Sequence, residues 1–450
     1  MRPILAAALL GAALPASPAP PITLDEALAA AARANLDLKL AETDRDAAGV
    51  EEYASWAGVL PRLDLQAVFE NDYSAAGQQL TITPVSVSPV QYEKLIVATP
   101  SSDFENYLLS LRLSLPLFDG FRSWARIAQA KALDRASAKQ LDESRLSVSF
   151  EVTRRFYDVV RAEKSLAVLE ESVRRSQELV RRTDALYEAG RAPRSDTYAA
   201  QVALGNDQIA AEQQRARVSD ARVALALALG READPGLEVV PPAALDRAGF
   251  QEPPPQAELL GRARKARPVL AADEQRIEAA RQDVRAAQGG YWPSVSGYAA
   301  YARQGPWIAG TYGVYGDISL QFGVTVGINL TWNLFEGRAT AAAVQRAAVS
   351  EQRARLQQEQ AVQQVSSEIA RARAAYVTLS RSAELAAASL KAAEENLRLA
   401  EKRFDAGTAT QLEIRDALLK LTQSQLALLQ ARVDAVIARA DLNRAVGGTL

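Results

Sequence analysis

The sequence is written twice. Leu115-Pro116-Leu117-Phe118-Asp119-Gly120 returns as Trp332-Asn333-Leu334-Phe335-Glu336-Gly337, and Leu186-Tyr187-Glu188-Ala189-Gly190 as Arg403-Phe404-Asp405-Ala406-Gly407. Asp196 falls on Glu413, and Leu229-Gly230 on Val446-Gly447, at the same spacing. A unit of roughly 220 residues far exceeds the 20–50 of a solenoid repeat, so the chain is a duplicated half-molecule. The spacing predicts a first repeat over 20–230 and a second over 257–450. The stretch 231–256 between them holds Pro235, Pro241, Pro242 and Pro253-Pro254-Pro255, and reads as a linker.

Each repeat changes its hydrophobic period partway along. Leu109, Leu111, Leu113, Leu115 and Leu117 alternate with Ser110, Arg112 and Ser114. In the second repeat Ile318, Leu320, Phe322, Val324, Val326, Ile328, Leu330, Trp332 and Leu334 alternate with Ser, Gln, Gly, Thr and Asn. Period two puts each set on one face of a strand. Weaker alternation precedes each run, at Leu63-Leu65-Ala67-Phe69 and from Val295 to Tyr301, so each repeat is expected to hold two strands. A long polar loop (Asn71 to Asn106) joins the first pair and a shorter Gly/Tyr-rich one (Gln304 to Asp317) the second. After each pair, residues 121–189 and 338–406 contain neither Gly nor Pro and are rich in Ala, Leu, Arg, Gln and Glu. Such runs predict helices of roughly 100 Å at 1.5 Å per residue. Gly190 and Gly407 close them as C-terminal caps. Returning helices are expected from about Ser195 to Leu229 and from about Gln411 to Val446. Small residues three and four apart (Ala339, Ala342, Ala343, Ala347) allow close helix packing.

What the chain lacks narrows its function. Among its 450 residues are no Cys and no His, which excludes thiolate and imidazole metal sites and the Ser-His-Asp triad. No phosphate-binding G-x-x-x-x-G-K-[ST] loop or G-x-S-x-G elbow occurs, so no cofactor or metal is expected and the chain does not read as an enzyme. Its 52 basic against 54 acidic residues give no basic excess for nucleic acid. Met1-Arg2-Pro3, the apolar run Ile4 to Leu14 and the small residues after it predict a secretory signal peptide over about 1–19. No later stretch is apolar enough for a spanning helix, so insertion in a membrane must use strands. Four strands cannot close a barrel, and open edges are not tolerated in hydrocarbon, so closure must come from several chains: two, three or four. The five Trp residues (Trp56, Trp124, Trp292, Trp307, Trp332) lie in or near the strand segments, as in interfacial aromatic girdles.

The duplicated layout, the strand exits Leu117 to Gly120 and Leu334 to Gly337, the hairpin ends and the opening Ile22-Thr23-Leu24-Asp25-Glu26-Ala27-Leu28 resemble the TolC-type outer-membrane efflux proteins. The resemblance covers about residues 22–448. It implies a mixed α and β membrane protein: an internally duplicated subunit giving four strands of a trimeric twelve-stranded transmembrane β-barrel, plus a long periplasmic α-helical coiled-coil barrel. It further implies a homotrimer in the outer membrane of a Gram-negative bacterium, set in outer-membrane lipid. Its partners would be a periplasmic adaptor protein and an inner-membrane pump. The implied role is a passive exit duct for a tripartite efflux pump or a type I secretion system, gated at the periplasmic tip by adaptor docking.

Carried over onto the second hairpin turn, Phe404 to Ala417, the family's pore-constricting acids fall on Glu413 and Asp416, three apart and therefore on one helical face. In a trimer they would set six carboxylates around one axis and attract cations, including divalent ones. Gly190, Ser195, Asp196, Phe404 and Gly407 fall at the tip latch and adaptor-docking surface, and Ser195 is also a candidate N-cap for the returning helix. The Arg and Tyr that latch the tip in the family are Ala409 and Phe404 here, leaving Arg191, Arg194 or Arg415 as substitutes. The absence of Cys places the chain in the unlipidated branch. The competing interpretation is a non-channel periplasmic coiled-coil adaptor, which would need only one hairpin and no lipid-facing stripe.

Overall fold

The computed structural model describes residues 21–87, 89–242, 251–305, 321–406 and 408–448. The expected signal peptide, Trp307, Ile318, Leu320 and the cap Gly407 lie outside them. In chain order the elements are α1 (Leu24–Ala34), α2 (Leu36–Ser55), β1 (Arg62–Ser74), β2 (Gly77–Val87), β3 (Val90–Thr99), β4 (Ser102–Phe118), α3 (Arg122–Glu188) and α4 (Arg194–Ala228). The second repeat follows with α5 (Gln256–Ala266), α6 (Pro268–Gln288), β5 (Ser294–Gly305), β6 (Gln321–Thr331), α7 (Ala339–Asp405) and α8 (Gln411–Val446). Both long helices run unbroken for 67 residues. Their ends follow the loss of Gly-free, Pro-free sequence almost to the residue.

Two expectations are corrected. The stretch from Asn71 to Asn106 is not a polar loop: β1 runs on to Ser74, β4 begins at Ser102, and β2 and β3 pair antiparallel between them. Its apolar residues sit on both faces of a ribbon rather than one, so no period-two stripe marks it. The second alternating run does not stay a strand to Leu334. β6 stops at Thr331, because its last partner, Ser294, is where β5 begins after Pro293.

The chain divides into two compact units, each drawn from both repeats: Ala48–Asp134 with Gln275–Arg355, and the remainder. The first unit carries a four-stranded antiparallel sheet in the order β1-β4-β5-β6. Directly opposed residues share a face, and the register builds one apolar face across all four strands. Leu65 opposes Leu111, which opposes Tyr301, which opposes Val324; Leu63, Leu113, Ala299 and Val326 form the next row. On the other face Asp64, Arg112, Ala300 and Thr325 make a row, beside Gln66, Ser110, Ala302 and Gly323. The apolar face is bare, with Val326 and Ile328 more than 70% exposed.

The duplicated Leu-Phe-Asp/Glu-Gly motif is the strand-to-helix turn of this unit. Gly120 and Gly337 take φ of +70° and +62°, followed by left-handed Phe121 and Arg338. A side chain at Gly120 would put Cβ 2.5 Å from the Gly289 carbonyl oxygen, so glycine is required twice over. Asp119 caps the helix that follows it, accepting from the Ser123 backbone N–H at 2.8 Å, and the matching Glu336 accepts from the Thr340 hydroxyl. Aromatic residues gather at this end. Trp56 meets Trp124 edge-on at 6.2 Å, and Trp332 donates its indole N–H to the Tyr291 carbonyl at 3.2 Å.

The other unit holds three apolar cores. In one, Phe156, Val159 and Val160 of α3 pack with Leu225 of α4 and Leu229 just after it, Ala27 of α1 and Val433 of α8, all fully buried. Ile22 joins it by a parallel bridge to Val239. A second sets Leu259 of α5 against Ile369 and Tyr376 of α7 and Leu442 of α8. The pseudo-symmetry of the repeats survives in detail. Gly230 (φ +72°) lies against the Ala34 carbonyl just as Gly447 (φ +91°) lies against Ala266. Asn35 donates to the Ala228 carbonyl at 2.8 Å, and Arg267 to the Arg444 carbonyl at 2.7 Å. Arg267 is buried, its charge met by Glu143 at 2.8 Å and Glu368 at 3.3 Å.

Candidate functional site: the hairpin tips

Both hairpin turns belong to the second unit, and a third apolar core joins them: Leu179 of α3, Leu397 and Ala400 of α7, and Ile414, Ala417 and Leu421 of α8. The first turn ends α3 with Gly190 at φ +68°; its N–H bonds the Tyr187 carbonyl and that of Arg191 the Leu186 carbonyl at 2.8 Å. This is the six-to-one closure of a glycine-capped helix. The second turn repeats that closure, the Thr408 N–H reaching the Arg403 carbonyl at 2.8 Å.

Ser195 does not cap the returning helix. Pro193 occupies the cap position of α4, without a side-chain cap, and Ser195 stands inside the first turn of the helix that begins at Arg194. The Ser195 hydroxyl lies 3.4 Å from Asp196 Oδ1, and both residues are exposed or half-buried. In the second turn Thr410 caps α8 and forms a reciprocal capping box with Glu413, whose carboxylate reaches back to the Thr410 N–H at 3.4 Å.

Glu413 therefore has local partners before any pore is considered. Arg403 Nη1 lies 3.1 Å from its carboxylate, and Lys420 Nζ lies 2.6 Å from Asp416. The two acids do share an exposed face of α8, beside the stripe of buried Ile414, Ala417 and Leu421. Lys420 stands on that same face and Arg403 reaches it from the end of α7, so the four side chains sum to zero charge in one chain. Sequence reasoning took the acids without the bases, although Lys420 stands four residues from Asp416, the standard helical pairing distance.

The tip contact that the sequence missed is Arg182. Its guanidinium forms an ion pair with Asp405 and lies 4.8 Å from the centre of the Phe404 ring, tying α3 to the end of α7. None of Arg191, Arg194 and Arg415 makes this contact: Arg194 instead stands 5.6 Å over Tyr198, and Arg415 lines a cavity of about 300 Å³ between α3, α4 and α8. Thr183, one residue on, accepts from the Gln411 side-chain amide at 2.8 Å. Further from the tip, Asp207 of α4 accepts from the hydroxyls of Ser172 and Ser176 of α3, and Ser172 lies 3.2 Å from Thr422 of α8. The wall is held by polar seams as well as apolar cores. Among the described residues no cluster of acids is arranged to hold a metal, and no helix is long and apolar enough to cross a membrane.

Comparison with known proteins agrees with this construction. The profile of the family described as Outer membrane efflux protein matches residues 27–231 and 259–448. The chain is 25% identical over 390 residues to Outer membrane efflux protein BepC of Brucella suis, covering 83% of this chain and 81% of that one. Its fold is that of a membrane protein from Pseudomonas aeruginosa (TM-score 0.76, 22% identity, 95% and 90% of the two chains). It is likewise that of the outer membrane protein VceC from Vibrio cholerae (TM-score 0.73, 18% identity, 95% and 96%). With both of its repeats matched, the chain belongs to the outer membrane efflux protein family, whose members are channels of the outer membrane and not enzymes.

Proposed function

We propose that three copies of the chain assemble into a passive exit duct, the outer-membrane component of a tripartite efflux pump or a type I secretion system. The observation that carries this reading is the sheet. It has two free edges, β1 and β6, one bare apolar face and one polar face. Unpaired backbone groups at two edges cannot rest in hydrocarbon. The edges run in opposite directions, since three antiparallel pairings separate β1 from β6, so β6 of one copy can pair antiparallel with β1 of the next. Three copies give twelve strands, apolar toward lipid and polar toward a wet lumen. The long helices extend into the periplasm as a coiled-coil wall. The mature chain comprises a first repeat to residue 230, a linker over 231–256 and a second repeat from 257, after removal of a signal peptide over about 1–19.

Gating lies at the tips. Glu413 and Asp416 of the three copies ring the duct, and Gly190, Ser195, Asp196, Phe404 and Gly407 form the surface where a periplasmic adaptor docks. Arg182 holds Phe404 and Asp405 in the resting arrangement. Docking favours an outward arrangement by binding it more tightly, a population shift. Energy comes from an inner-membrane pump. Native mass and single-channel current of the detergent-purified protein test the assembly. A trimer with discrete, cation-preferring steps is expected; a monomer without current overturns the duct.

A further inference from the structure

The cavity of about 300 Å³ where α3, α4 and α8 meet spans the first hairpin and the second. Its α3 wall ends at Leu179, roughly 16 Å back from Gly190 at 1.5 Å per residue. All of its lining residues belong to one compact unit of the chain. Leu179, Val202 and Leu418 supply apolar walls, and Arg175 and Arg415 supply two guanidinium groups. Val202 and Arg415 are exposed, so the cavity opens to solvent.

The chain does not neutralise these two cations. Among the described residues no carboxylate lies within 4 Å of either guanidinium. The half-buried Arg175 touches only neutral oxygens through Nη2, at 3.4 Å from Thr422 Oγ1 and 3.5 Å from Gln425 Oε1, and its Nε is buried without an acceptor. Its neighbours on α3 are paired: Arg174 lies 2.7 Å from Glu171, and Arg181 2.6 Å from Glu178. The one carboxylate in the lining, Asp207, is occupied by the hydroxyls of Ser172 and Ser176. Two guanidiniums against one carboxylate leave the cavity with a net positive charge beside apolar surface. A cation partly withdrawn from water and lacking a counter-charge is stabilised by an incoming anion.

We propose that this cavity is a binding site for a small amphipathic anion, one carboxylate or sulfonate group on a short apolar body. Arg175 and Arg415 hold the anionic group, the planar guanidinium matching two of its oxygens. The apolar body lies against Leu179, Val202 and Leu418. A cavity of this size stands at the lower end of ligand pockets, which limits the body to a single ring or a short chain. Bound there, the ligand touches α3 and α4 of the first hairpin and α8 of the second, and ties the two together. The site is built within one chain and does not depend on the trimeric duct.

The probe is para-(trifluoromethyl)benzoate, followed by the width of its fluorine NMR line as the full-length protein in lipid nanodiscs is titrated. Empty nanodiscs are the blank, and the uncharged para-(trifluoromethyl)benzamide is the neutral twin. Saturable benzoate binding is expected, with the benzamide about tenfold weaker or more. Arg175→Gln and Arg415→Gln should each weaken the benzoate by a similar factor. Arg174→Gln, next in sequence but paired with Glu171 and outside the lining, should leave it within about twofold. Ala203→Leu fills the cavity without touching a charge and should abolish binding, which carries the test if an arginine variant fails to fold. Benzamide binding as tight as benzoate, binding unchanged in both arginine variants, binding retained by Ala203→Leu, or no binding above empty nanodiscs each overturns the site. None of these results bears on the duct, which native mass reads separately.

Discussion

Replacing Lys420 by Gln tests whether the acids of the tip line a pore or merely decorate a helix. Lys420 Nζ lies 2.6 Å from Asp416, with both side chains more than half exposed. Such a pair contributes only about 0–1 kcal/mol to stability, so the helix should survive its loss. Its electrostatic effect on a bound cation is larger. A divalent ion about 6 Å from one unit charge in water-like dielectric interacts by about 1.4 kcal/mol before salt screening, close to a factor of ten in affinity. Lys420→Gln removes one positive charge per chain from a cluster of four charged side chains that otherwise cancel. With one such charge changed in each of three chains, divalent block of single-channel current should therefore tighten by at least about tenfold, and Asp416→Asn should weaken it by a similar factor. Adding Lys420→Gln to Asp416→Asn should return the block near its starting point, because the cluster is again neutral. The reasoning is refuted if Lys420→Gln leaves block unchanged or weakens it while the trimer and its conductance are intact.

Other perturbations follow from the same geometry. Thr410→Ala removes the capping box of α8 and should cost about 1 kcal/mol, read as faster amide exchange over the first turn of α8 with the cores still protected. Gly230→Ala forces a Cβ to within 2.2 Å of the Ala34 carbonyl oxygen at φ +72° and should destabilise by more than about 2 kcal/mol. Gly205→Ala, inside α4 with nothing within 4 Å, should instead raise the melting temperature through a gain of about 0.5–1 kcal/mol. Burial holds the Tyr157 phenol above its ordinary value of 10.0. Its folded pKa exceeds the unfolded one, so this contribution is complete below about pH 10 and is lost as pH rises through the raised folded value. Tyr157→Phe should flatten the alkaline end of a pH–stability profile and leave the neutral region alone; an unchanged alkaline slope would contradict it.

Much of this molecule was legible because its signals are local. A Gly-free and Pro-free run of 69 residues can only be a long helix, and α3 and α7 end within a residue of where that run predicts. The odd-numbered apolar residues of β4 needed no partner to be assigned to one face. The two acids of α8 were placed on one side by their spacing alone. The repeated Leu-Phe-Asp/Glu-Gly turn was visible as a motif, though its reason, a left-handed pair of residues with a capping acid, appeared only in the backbone.

What the sequence by itself determined is thus the duplication, the helices and the two-faced strands, each encoded within a few turns of chain. The tertiary structure alone decided the order β1-β4-β5-β6, which sews the two repeats into one sheet, and the hairpin hidden in an apparently polar loop. It also decided the charges that matter at the tip: Arg182 against Asp405 is a contact across 223 positions. The physical reason is common to all three. Periodicity reports which face of an element is apolar, whereas register and charge pairing depend on which element arrives opposite, and that is settled only when the cores close.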